Sequence, residues 1–125
     1  KLLQQIVSFV FGDHVRDQDR ALLAVSLVAN NPAATPLLWK YLQAHWSQVV
    51  KLGSTSGMGY WSRLIEHLVA SFTETAQLRK AERFLERNIW RGGKRCLAQG
   101  VETAKANIAW RKRVEKELKT YFSKK

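Results

Sequence analysis

The run Ala21-Leu22-Leu23-Ala24-Val25-Ser26-Leu27-Val28-Ala29 constrains this chain more than any other stretch of it. It is apolar on every side of a helix, which predicts a helix buried all round. Asp17 or Asp19 supplies its N-cap, because a carboxylate accepts from the orphan N–H groups of a helix start. Asn30-Asn31-Pro32 ends it. Thr35-Pro36 then reads as an N-cap followed by proline at the first helical position, where the missing N–H costs nothing. The helix that follows carries Trp39-Lys40-Tyr41-Leu42 and, one heptad beyond Trp39, Trp46. A short Asn/Pro link between two helices makes a helical hairpin.

The rest of the chain keeps the helical period, and no strand pattern competes with it. Helices are expected over Leu2–Phe11, Asp17–Ala29, Thr35–Lys51, Gly57–Ser71, Glu74–Asn88 and Lys94–Phe122. The links are Gly12-Asp13, Asn30 to Ala34, Gly53-Ser54-Thr55-Ser56-Gly57, Phe72-Thr73 and Arg91-Gly92-Gly93. Trp39, Leu42, Trp46 and Val49 form one apolar stripe, and Trp61, Leu64, Ile65, Leu68 and Val69 another. The last helix changes face, from Leu97, Val101, Ala104 and Ile108 to Trp110, Val114, Leu118 and Tyr121. Trp39, Trp46 and Trp110 are therefore expected to be structural core residues. Arg16 and Asp19 are expected to form a local ion pair and cap on the second helix.

With 125 residues and 46% hydrophobic content, residues 1–125 suit a single all-helical domain with a real core. No uninterrupted apolar stretch reaches the roughly 20 residues of a membrane span. Gln4-Gln5 breaks the apolar start after Leu2-Leu3, so the beginning does not read as a signal peptide. It reads as an amphipathic helix with Leu2, Leu3, Ile6, Phe9 and Val10 on one side, and a chain that starts this way is expected to be a piece of something longer.

The net charge of +11 and pI near 10.2 would ordinarily point to an anionic partner. Most of that charge falls beyond Ser62. In the last helix Lys105, Arg111, Lys112, Arg113, Lys116 and Lys119 are interspersed with Glu102, Glu115 and Glu117, the pattern of a solvated face rather than a binding stripe. Trp90, among Arg91, Lys94 and Arg95, is one aromatic among cations. It reads as an anchor for its loop rather than a base-stacking platform. Cys96 has no cysteine to pair with and no neighbouring histidine to activate it.

Several strings in order along the chain resemble one family. They are Arg16-Asp17-Gln18-Asp19, Asn31-Pro32, Trp39-Lys40-Tyr41-Leu42 with Trp46, Ser62-Arg63-Leu64-Ile65, Phe72-Thr73 with Leu78, Glu82 and Phe84, and Gln99, Glu102, Asn107-Ile108 and Trp110. From about Val15 to Phe122 the chain is similar to the C-terminal helical domain of the M1 zinc aminopeptidases, the group of the puromycin-sensitive and endoplasmic-reticulum aminopeptidases. Two departures are His45, where the family often has a small polar residue, and the strongly basic Ile89 to Arg95.

The resemblance, with the helix pairing, implies antiparallel pairs stacked as a HEAT- or armadillo-like solenoid fragment that ends in a long capping helix. The chain would be the C-terminal part of a larger C-terminal domain. Its expected partners are the catalytic and upstream helical domains of the same protein, and peptide substrate; nucleic acid is not expected. In that family zinc is held by an H-E-x-x-H helix and a downstream Glu, and a Gly-Ala-Met-Glu-Asn-type strand binds the substrate amine. Neither motif occurs here. His14, His45 and His67 have no partner histidine at helical spacing, so no catalytic residue, metal ligand or cofactor is expected in this chain, and zinc belongs to the missing catalytic domain. The implied role is to close a substrate chamber and help select peptides for removal of N-terminal residues, with Arg63 as the candidate substrate-binding residue. An independent helical-repeat adaptor for acidic proteins or nucleic acid is the alternative.

Overall fold

The computed structural model describes residues 2–55 and 59–124. Their regular elements are all helical: α1 (Leu2–Val10), α2 (Asp17–Asn30), α3 (Ala34–Ala44), α4 (Trp46–Thr55), α5 (Tyr60–Ala70), α6 (Thr75–Asn88) and α7 (Lys94–Ser123), with one 3₁₀ turn at Arg91–Gly93 before α7. The helices pack on one another in succession, an arrangement consistent with a helical repeat.

The core centres on α5, whose Trp61, Leu64, Ile65, Leu68 and Val69 are all buried. Helix α7 lies along it most extensively, with α2 next. Gly100 makes the α5–α7 approach possible, since a Cβ there would stand 2.7 Å from the Glu66 carbonyl oxygen and 3.2 Å from the Val69 Cβ. The left-handed Gly59, at φ 68°, starts α5 in a conformation that favours glycine.

Helix α2 is not buried all round. Ala21, Ala24, Leu27 and Val28 face the core, whereas Leu22 and Leu23 are 50% and 44% exposed, because the described neighbours cover only one side. Neither candidate aspartate is an observed cap. The N-cap is Arg16, extended and without a side-chain cap bond; the Asp19 carboxylate instead accepts from Arg16 Nε at 3.1 Å, and the Asp17 side chain lies outside the described residues. Arg20 secures the link before α2 by donating to the Val15 and Gly12 carbonyls, both at 3.0 Å.

Thr35 does not cap α3, which starts one residue earlier with Ala33 as N-cap. Thr35 is buried, and its hydroxyl lies 2.8 Å from Ser71 Oγ; as Ser71 donates its own proton to the Leu68 carbonyl, Thr35 is the donor, tying α3 to the end of α5. Pro36 remains in the first helical turn, where no hydrogen bond is lost.

The expected single helix over Thr35–Lys51 is two helices, broken at His45 (φ −117°, ψ 30°). The His45 ring stacks on Tyr41 at 4.2 Å and its Nδ1 lies 3.0 Å from the Tyr41 carbonyl. The tryptophan stripe survives the break: Trp39 and Trp46 both meet Phe84 edge-on, at 5.5 and 5.4 Å. Helix α4 continues through Gly53, so the expected Gly/Ser loop is partly helical, while Ser56, Gly57 and Met58 lie outside the described residues. Trp110 is not in the core. It is 58% exposed, because α7 leaves the other helices after Ile108. On α1, Leu2 and Phe9 are exposed at 69% and 57%.

Candidate functional site

The string Ser62-Arg63-Leu64-Ile65 forms the third to sixth positions of α5 and divides cleanly between inside and outside. Leu64 and Ile65 are fully buried. Ser62 is buried and accepts a hydrogen bond from Trp90 Nε1 at 2.9 Å. Only Arg63 is exposed, its backbone N–H donating to the Gly59 carbonyl at 3.1 Å. Three residues of the string hold the helix in place and the fourth presents a guanidinium to the outside.

Arg63 has an electrostatic neighbourhood built by the close α5–α7 crossing. Burial raises the Cys96 thiol above its ordinary pKa, and the Glu66 carboxylate raises it further, while Arg63 and Arg95 pull it down. The thiol is thus held protonated, the opposite of what a cysteine nucleophile needs.

Other family-like strings meet elsewhere. Trp39 is edge-on to Phe72 at 6.4 Å, and Trp46 stacks on Trp90 at 6.1 Å while its Nε1 donates to the Asn88 carbonyl, capping the end of α6. Pro32, Phe72, Thr73, Asn107, Ile108 and Trp110, drawn from three separate strings, line one groove of about 410 Å³ with His67 and Arg111 beside them. Sequence reasoning treated these strings singly and missed their convergence. The signal was present in their shared membership of the resemblance, but nothing in helical periodicity brings positions 32, 72 and 107 together.

The remaining candidates stand apart. His14 stacks on Phe9 at 6.1 Å, His45 on Tyr41, and His67 sits in the last turn of α5. Among the described residues no three His, Cys, Asp or Glu side chains gather as a metal site would require. Arg16 and Asp19 pair with each other on the exposed surface.

Residues 1–106 match the family described as the ERAP1-like C-terminal domain. The chain belongs to that family. This ERAP1-like domain is 31% identical to aminopeptidase N of Rattus norvegicus over 98% of its own length and 13% of the relative's. It is 30% identical to aminopeptidase M1 of Arabidopsis thaliana over 93% of its length and 13% of the relative's. To endoplasmic reticulum aminopeptidase 1 of Rattus norvegicus it is 32% identical over 69% of its length and 9% of the relative's. The chain thus spans about an eighth of the aminopeptidases N it matches. No solved structure matches it. Within this ERAP1-like domain the strings that carry the resemblance combine buried residues such as Trp39, Leu42, Leu64 and Ile65 with exposed ones such as Arg16, Lys40, Arg63, Gln99 and Glu102.

Proposed function

We propose that this chain is the non-catalytic end of the C-terminal domain of a zinc aminopeptidase, closing the substrate chamber and helping to select peptides. Zinc and the hydrolytic residues belong to a catalytic domain elsewhere in that protein. The helix pairs would form a HEAT- or armadillo-like stack, 1–125 being its last part and α7 its cap. The exposed apolar side of α1 and the uncovered Leu22 and Leu23 on α2 suit contact with upstream helices of the same protein.

The observation that carries the reading is the division of Ser62-Arg63-Leu64-Ile65: the structural members point inward and Arg63 is left exposed within a family-like string. A guanidinium there would hold a peptide carboxylate in a bidentate geometry. The groove lined by Phe72, Ile108 and Trp110 offers an apolar counterpart for a side chain.

In the parent enzyme, Arg63→Ala should lower kcat/KM for peptides with a carboxylate in reach by about tenfold, the scale of one charge-assisted hydrogen-bond pair, and leave a small neutral arylamide unchanged. Arg63→Lys should restore only part of the loss. Equal losses on both substrates would overturn the role given to Arg63.

A further inference from the structure

The helix period places the exposed guanidinium of Arg63 and the groove beside Trp110 on one side of the same helix. Arg63, His67 and Ala70 stand at i, i+4 and i+7 of α5, so they share a face. His67 and Ala70 line the groove. At 1.5 Å per residue, the groove at Ala70 lies about 10 Å along the helix from Arg63.

Helix α7 follows that face from end to end. Trp90, just before α7, donates to Ser62 at the start of α5; Gly100 packs on Glu66 and Val69 further along; Asn107 joins Ala70 at the groove. The two helices therefore run in the same direction, and Arg63 and the groove are the two ends of one strip of surface. No acidic side chain lines the groove, where His67 and Arg111 stand. Glu66 is turned about 60° from Arg63 toward α7 and is partly buried, and its charge falls on Cys96. A cation thus marks one end of the strip, and a recess with Phe72 and Ile108 in its lining marks the other.

An extended peptide rises about 3.3 Å per residue and turns alternate side chains to the same side. Over about 10 Å, the side chains that meet the strip are therefore roughly two or four residues apart. We propose, on the strength of the carboxylate-binding role given to Arg63, that this strip selects peptides by the spacing between an acidic residue and a large apolar one. Arg63 takes the carboxylate and the groove takes the apolar side chain. The linker between them decides whether both contacts form at once.

Turnover by the parent enzyme of peptides of one length tests this. All share an N-terminal residue and carry one Glu and one Leu in a Ser/Ala background. In one series Glu is moved past a fixed Leu, and in the other Leu is moved past a fixed Glu. The ratio of kcat/KM between the native enzyme and Arg63→Ala should reach about tenfold at separations of roughly two or four, and stay within about twofold at roughly seven or more. Its maximum should follow separation in both series. Unchanged helical circular dichroism confirms that the variant folds. A ratio of about tenfold at every separation would overturn selection by spacing and leave Arg63 as a carboxylate contact. So would a maximum that follows distance from the peptide N-terminus. A ratio near unity throughout would overturn the carboxylate role of Arg63 itself, and selection by spacing with it.

Discussion

The two halves of α7 are one unbroken helix with opposite fates. From Lys94 to Ile108 its Leu97, Val101, Ala104 and Ile108 are buried, and Gly100 sits against the backbone of α5. From Ala109 to Ser123 the same helix is exposed except for the partly buried Val114. Apolar spacing is equally good in both, so spacing alone does not decide burial. What differs is a partner: α5 runs alongside the first half, and no described helix runs beside the second. Periodicity shows which face a helix offers, and tertiary contact decides whether the offer is taken.

The sharpest way to break the comparison is to make one substitution in each half. Leu97→Ala should destabilise the chain by about 2–5 kcal/mol, and Leu118→Ala by no more than about 0.5. Urea midpoints measure both, and equal shifts would show that the halves do not differ in packing. Gly100→Ala should come next, losing about 1–3 kcal/mol from overpacking against Glu66 despite alanine's better helix propensity. A gain in stability there would mean that α5 and α7 approach less closely.

The smallest effect is electrostatic and sharpens the picture of the crossing. Because the folded Cys96 thiol has a raised pKa, it stays protonated over a pH range in which the unfolded thiol ionises. Its contribution to stability is complete below the unfolded pKa and lost as pH rises through the folded one. Alkylation of the native protein should therefore become fast at higher pH than alkylation of the denatured chain. Arg63→Ala should delay it further and Glu66→Gln should advance it, since the two residues act in opposite directions. An unchanged profile in both variants would separate Arg63 from the crossing.

Helix content and most of the core were legible in the chain. Trp61, Leu64, Ile65, Leu68 and Val69 came from period alone, and all are buried. The failures have a common cause. Thr35 has the chemistry of a cap, yet its hydroxyl serves Ser71, 36 residues away. Leu22, Leu23 and Trp110 look like core residues, but no described helix covers them. Arg63 was legible as an exposed member of a recognisable string. The groove joining Pro32, Phe72 and Trp110 was not, because it exists only after α2, α5 and α7 have been brought together.

The slot around Trp90 also bears on the order of events in time. A Cβ on Gly53 would stand 2.6 Å from its indole and one on Gly93 3.0 Å from its Nε1, so both glycines make room for the ring. Its other neighbours are Ser62 and Trp46, reached 28 and 44 positions earlier in the chain. Local helices form in about a microsecond, but such distant contacts must wait for the intervening loop to close. The stacked Trp46–Trp90 pair is therefore a built-in clock, its indole–indole circular dichroism rising after the backbone helical signal and marking the moment when α4, α5 and the entry to α7 lock.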